Sequence, residues 1–186
     1  VLKRNDPRDC YIGKFFPGAK VGTGSPRRLE QLTLINEHLD VKGIRGNIAT
    51  RIKKLEEGKY DAIVLARAGL ELLGLEKMIT HTFDFDHMLP AVGQGVIAIQ
   101  TRTMSPYTAL IRQINHLDTF YCVLAERTAL KFLDGDCHSA VGILAQVTGD
   151  CITLKAINYN NMKDCTVTGK ILDYKQIGEQ VGLAIK

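Results

Sequence analysis

The sequence predicts an α/β protein: a doubly wound domain followed by a small α+β domain with a three-stranded antiparallel sheet. Three observations lead there. Between Ala19 and Leu75, strand-like and helix-like patterns alternate, the signature of a parallel sheet with crossover helices. YDAIVLA at 60–66 is almost continuously apolar, as expected of a strand covered on both faces. From Val141 the pattern changes to three alternating stretches, VGILAQVTG, DCITLKAINYN and DCTVTGKILDY, separated by turn residues.

The elements follow in order. The chain opens on VLKRNDPRDCYIGKF, which reads as the inside of a strand, so an N-terminal truncation is expected. AKVGTG is a strand and SPRRLEQLTLINEH a helix, with Leu29, Leu32 and Ile35 or Asn36 near helical spacing. VKGIRG is a second strand. NIATRIKKLEEG is a second helix, capped by Asn47 and closed by Gly58. AGLELLGL makes a short third helix. HMLPAVGQGVIAIQTR at 87–102, punctuated by Pro90, Gly93 and Gly95, reads as a crossing between lobes that ends in an apolar strand. Helices are expected over 105–116 and 118–133, and a last one over YKQIGEQVGLAIK.

Composition narrows the class. The chain has 186 residues, 45% hydrophobic and 24% charged, enough to bury a core without staples. A net charge of +4 is too mild to argue for nucleic acid. No apolar run approaches the ~20 residues of a membrane span. The five cysteines are odd in number and form no CxxC pair, so neither a zinc site nor a disulfide framework is expected, and reduced thiols in a cytosol-like compartment are.

VGTGSPRRLEQL at 21–32 poses a charge problem. It puts Arg27 and Arg28 in the first helical turn, where the helix dipole disfavours a cation by about 0.3–1 kcal/mol. Arg45, Arg51 and Arg67 fall at or near the same carboxyl edge of the sheet, where α/β proteins bind ligands. Each alone could be a solvated surface residue; together they point to an anion site. Lys53, Lys54 and Lys59 lie farther along and are expected to face water. The planar forks of arginine suit carboxylate or phosphate. A nucleotide is disfavoured: there is no GxxxxGK[ST], and Arg27 stands where a dinucleotide fingerprint wants its third glycine. A small polycarboxylate fits better.

LDGDCHSAVG at 133–142 is the second feature. Gly135 suits the residue after a helix, and Cys137 follows in a loop. It is either an ordinary loop cysteine or a reactive thiol, since burial and local charge decide reactivity. Cys137 and His138 do not form a dyad, because sequence neighbours rarely face each other. Cys10, Cys122, Cys151 and Cys165 read as packing residues.

VGTGSPRR, IRGNIATR, YDAIVLARAGLELLGL, LPAVGQGVIAIQ, AERTALKFL and LDGDCHSAVG, in this order and with DPRDCYI ahead of them, resemble the hydroxymethylbilane synthase (porphobilinogen deaminase) family along essentially the whole chain. The resemblance implies a periplasmic-binding-protein-like α/β domain over 1–90, a segment over 91–116 returning to a first domain mostly outside these residues, and a C-terminal α+β domain over 117–186. It implies a deaminating transferase of haem and porphyrin biosynthesis that joins four porphobilinogen molecules head to tail into a linear tetrapyrrole. It also implies a dipyrromethane primer held by a thioether, with Cys137 at the attachment position. By the same resemblance Thr23, Gly24, Ser25, Arg27, Arg28, Arg45, Gly46, Asn47 and Arg51 hold the acetate and propionate groups of primer and growing chain. Leu65 and Ala66 line that cleft, and Gln94 lies at the lobe crossing. A cytoplasmic monomer without metal, nucleic-acid or membrane partner is implied.

Three departures stand out. No stretch matches the family's His-Ser-Met-Lys-Asp-like segment with its catalytic aspartate, and Asp134 and Asp136 are not substitutes, so these 186 residues by themselves are expected to be inactive. Ser139-Ala140 stands where Thr-Pro or Val-Pro is frequent. Leu72 replaces a frequent arginine, which makes Arg67 a candidate to compensate. The alternative reading is a non-catalytic periplasmic-type binding module for a small carboxylate, in which a loaded loop thiol at Cys137 would have no use.

Overall fold

In the computed structural model, which describes residues 1–133 and 139–186, alternation along one strand decides where the helices lie. In β4 (Ala62–Ala66), Ala62 and Val64 face one way and Ile63 and Leu65 the other. The first pair packs with Val21 of β2 (Lys20–Gly22) and Leu32 of α1 (Pro26–Ile35). The second pair packs with Ile12 of β1 (Asp9–Gly13), Ile52 of α2 (Ile48–Glu56) and Leu70 of α3 (Arg67–Glu71). A strand buried on both faces needs helices on both, and each fully buried Ile or Leu contributes roughly 1.5–3 kcal/mol.

With β3 (Asp40–Lys42) and β5 (His81–Thr82), the sheet order is β3-β2-β4-β1-β5. The pairings of β2 with β3 and β4 are parallel, as the alternating pattern predicts. The other half is not: β1 runs antiparallel to both β4 and β5, so the sheet is mixed. The opening strand is also shorter than expected, because residues 1–8 lie outside it and strand pairing begins at Asp9.

Further corrections concern the crossing. The strand expected near Val96 does not form; residues 96–102 lie in no helix or strand, and the segment is tied to the N-terminal stretch through Leu2 N–H to Ile97 O (3.1 Å) and Asn5 N–H to Gly95 O (2.9 Å). Two isolated bonds do not make a ladder. The helix expected over 105–116 shrinks to α4 (Thr108–Arg112). The second strand ends at Lys42, which leaves Arg45 in the loop before α2.

The C-terminal part matches its pattern closely. β6 (Val141–Thr148), β7 (Cys151–Asn158) and β8 (Lys163–Lys170) form an antiparallel meander. α5 (Leu117–Phe132) and α6 (Tyr174–Ala184) cover one face, burying Ile143, Ile152 and Leu154 against Ala125, Ala129 and Val181. Two glycines let these helices approach: a Cβ at Gly178 would lie 2.7 Å from Ala125 O, and one at Gly182 2.6 Å from Ala129 O. The two sheets are joined where Ile143 N–H donates to Pro90 O (3.0 Å) and Gly142 lies against Leu89. No described helix is long and apolar enough to cross a membrane.

Gly182→Val should therefore force α5 and α6 apart and lower the stability by about 1–3 kcal/mol. Urea unfolding reads this as a lower midpoint; an unchanged midpoint would contradict the close helix contact.

Candidate functional site

The buried face of α1 is polar. Leu29 and Ile35, expected on its apolar stripe, are partly exposed, while Arg27, Arg28 and Gln31 are buried with Leu32. The anion that these arginines need is internal: Asp9 of β1, 0% exposed. Its Oδ2 lies 2.7 Å from Arg27 Nη1, and its Oδ1 2.8 Å from Arg28 Nη2 and 2.9 Å from Arg28 Nε. Gln94 Nε2 donates to the same Oδ1 (2.9 Å) and to Pro7 O (2.6 Å). Arg27 also reaches Leu89 O (2.6 Å), and Arg28 reaches Val64 O (3.2 Å) in the middle of β4. Gln31 completes the dock, accepting from Leu89 N–H at 2.6 Å.

Burial pushes the Asp9 carboxyl up, but Arg28 and Arg27 outweigh it and hold it below the ordinary carboxylate value. Burial also works against the Arg27 charge, with Asp9 opposing that effect and Arg28 adding to it. Two cations share one carboxylate, so the cluster keeps a net positive charge. Arg27 Nε is buried without a hydrogen-bond partner.

Two cavities open beside this cluster. One, about 850 Å³, is lined by Gly24, Ile44, Arg45, Gly46, Arg51 and Lys54. Arg51 Nε donates to Gly46 O (2.8 Å), and its pKa is lowered by burial and by the nearby Arg28. Gly46 holds φ at 118°, a backbone conformation that favours glycine. Arg45 is exposed, with no described partner for its guanidinium. Lys54 departs from expectation: it is half-buried and donates to Arg45 O (2.9 Å) rather than facing water. Lys53 and Lys59 are exposed, as expected. The second cavity, about 780 Å³, lies between Ser25 and Arg27 on one side and α5 on the other.

The remaining predicted residues divide. Thr23 is buried and its Oγ1 accepts from Ser25 N–H (3.2 Å), shaping the turn. Asn47 caps α2, accepting from Thr50 N–H at 2.8 Å, so its side-chain oxygen is committed locally. Leu65 is core, and Ala66 precedes α3 at the strand end. Arg67 is held by Glu71 (2.7 Å), Asp6 (3.3 Å) and Thr82 (3.0 Å), which leaves it poorly placed to stand in for an arginine at Leu72. Cys137, with Asp134, Gly135, Asp136 and His138, lies outside the described residues. Of the other cysteines, Cys10 and Cys122 are buried, and burial pushes each thiol up to about 12. Cys151 is exposed, against the expectation that it packs.

Sequence reasoning missed Asp9, Gln31 and the pair formed by Arg4 and Glu126. Glu126, 0% exposed, meets Arg4 Nη1 at 2.5 Å and accepts from Gly93 N–H (2.7 Å) and Ala145 N–H (2.9 Å). Burial pushes its carboxyl up, with Arg4 and the two backbone donors pulling against that. A signal for Asp9 existed: a carboxylate inside the strand pattern DCYI is costly to bury unless it is paired with a cation.

Residues 1–109 match the family described as "Porphobilinogen deaminase, dipyromethane cofactor binding domain", and residues 120–186 match "Porphobilinogen deaminase, C-terminal domain". The chain belongs to the porphobilinogen deaminase family. Among similar proteins, the porphobilinogen deaminase of Clostridium botulinum strain Langeland is 39% identical over 192 residues, covering 100% of this chain and 66% of the relative. That of Acidithiobacillus ferrooxidans strain BNL-5-31 is 44% identical over 165 residues, covering 84% of this chain and 54% of the relative. The chain thus spans just under two thirds of the length of the porphobilinogen deaminases that it matches in full.

Asp9→Asn should leave two buried guanidiniums with no anion and cost about 3–5 kcal/mol at pH 7. Because the folded carboxyl titrates below its unfolded value, its contribution is present above about pH 4 and is lost as pH falls through the folded value. Denaturant titrations should show wild type and variant converging below about pH 4; equal stability at pH 7 would refute the pairing.

Proposed function

We propose that this chain is the carboxylate-binding and primer-bearing part of a hydroxymethylbilane synthase, which joins four porphobilinogen molecules into a linear tetrapyrrole with loss of ammonia. One observation carries the reading. Arg27 and Arg28 share a single carboxylate, and the surplus positive charge sits beside cavities lined by Arg45, Arg51 and Lys54 on one side and by Arg27 itself on the other. Among the described residues lining either cavity there is no carboxylate. A chain of pyrroles carrying acetate and propionate groups has the complementary charge.

The donor set therefore fits a dipyrromethane, with Cys137 as the proposed attachment point. When bound, that group supplies the pyrrole to which each new unit is joined. Arg45 presents an uncommitted fork to a carboxylate, and Arg51, steadied by Gly46 O, presents the remaining donors of its own. Arg28 is locked between Asp9 and Val64 O and orients the floor of the site. Gln94 ties the crossing segment to that floor through Asp9 and Pro7 O. Neutralising the carboxylates leaves the electron-rich ring free to attack. Stabilising positive charge as ammonia departs is a task for a carboxylate, not for these arginines. The four described cysteines are unpaired, which supports placing the reaction in a reducing, cytoplasmic compartment.

Intact mass tests the assignment. Denatured full-length protein should exceed its sequence mass by one dipyrromethane, and Cys137→Ser should remove the excess; an unmodified mass overturns it. Arg45→Lys and Arg51→Lys keep the charge but lose the fork and should slow primer loading or elongation about tenfold. Lys53→Ala and Lys59→Ala should stay within about twofold, since exposed lysines of this kind contribute little. Equal losses in both groups would show that the wrong face has been assigned.

A further inference from the structure

The cavity of about 780 Å³ beside α5 has a wall that the reading above does not use. Leu124, Arg127, Thr128 and Lys131 line it and recur at helical spacing, so one stripe of α5 faces the cavity. The opposite side of α5 is committed elsewhere: Cys122, Ala125 and Ala129 enter the core, and Glu126 is held by Arg4. Arg127 and Lys131 are exposed and make no ion pair or hydrogen bond with any described residue.

Across the cavity stand Ser25 and Arg27. Ser25, at the N-cap position of α1, makes no capping bond with its side chain, and Arg27, 2% exposed, carries the buried Nε that lacks a partner. Three cations thus converge on one space. No described lining residue offsets them, and Arg27 already shares its one carboxylate with Arg28. Val92, Leu130 and Val141 add apolar surface. Charge and surface together suit an organic anion with a flat apolar body and carboxylates on its edges, and do not suit a bare inorganic ion. Lys131 also lies six residues before Cys137 in the sequence.

We propose that Arg127 and Lys131 form a further binding wall, which takes carboxylates of the pyrrole chain. This rests on the function proposed above and extends its site from the α/β domain to α5. Arg127 offers a fork and Lys131 a point charge, so the wall can hold two carboxylates on neighbouring rings.

The test uses the full-length protein, unloaded, and an unreactive probe: a pyrrole bearing one acetate and one propionate but no aminomethyl group, titrated by calorimetry. Arg127→Gln and Lys131→Gln should each weaken probe binding about three- to tenfold, and the double variant more, with a shallower dependence on salt. Their thermal midpoints should match wild type, because neither side chain has a described partner to lose. The double variant should also accumulate less primer-loaded protein by intact mass. Wild-type affinity and loading in the double variant would overturn the wall, while weakened binding in Arg51→Gln would show that the proposed function survives. No probe binding and no Cys137 adduct in wild type would overturn both.

Discussion

Asp9 is one carboxylate asked to serve two guanidiniums, and much of the α/β domain is arranged around that shortage. It sits on β1, beside the central strand β4, and is fully buried. Isolated there, its charge would be prohibitive; with Arg28 and Arg27 alongside, its carboxyl titrates below the ordinary value. The two arginines come from the first turn of α1, where the helix dipole disfavours them. Asp9 offsets that cost and leaves one positive charge unmatched. The surplus lies between two cavities, so a structural ion cluster also sets the electrostatics of the site. The same burial pushes the thiol of Cys10, next to Asp9, up to about 12.

The crossing segment depends on the cluster as well. Gln94 bridges Asp9 and Pro7 O, while Leu89 is held through both its N–H and its carbonyl by Gln31 and Arg27. A second buried carboxylate, Glu126, works from the other side. It gathers Arg4, Gly93 N–H and Ala145 N–H, which belong to the N-terminal stretch, the crossing and β6. Each carboxylate meets its cations only when separate segments are in place together. The crossing has no strand of its own to hold it, and these polar nodes supply the specificity that a ladder would otherwise give.

Much of this was legible in the pattern of residues. The meander over 141–170 and the helix from Tyr174 follow from alternation and turn chemistry, and they sit close to the expected bounds. β4 was legible because its run is apolar throughout, and α2 because Asn47 caps it. The grouping of arginines at one edge was legible too, since a helix start is a poor place for cations without an anion. The antiparallel half of the sheet was not. β1 and β5 are short, and pairing between residues far apart in the chain leaves no local period. The strand expected near Val96 had the right residues, but among the described residues only isolated backbone bonds from Leu2 and Asn5 reach that segment, too few for a ladder.

By itself the sequence determined the order of strands and helices, the polar turns between them, and the motifs that place the chain in the porphobilinogen deaminase family, because each is written in neighbouring residues. Only the tertiary structure decided what the arginines do. Arg27 and Arg28 look like ligand-binding residues in sequence, yet folding spends part of their charge on Asp9. Arg45 keeps its fork, and Lys54 turns inward to the Arg45 carbonyl. Arg127 and Lys131, ordinary residues on a helix, acquire meaning only because α5 is brought opposite Ser25 and Arg27. The physical reason is that a charge takes its role from the partners within a few ångströms, and those partners come from distant parts of the chain.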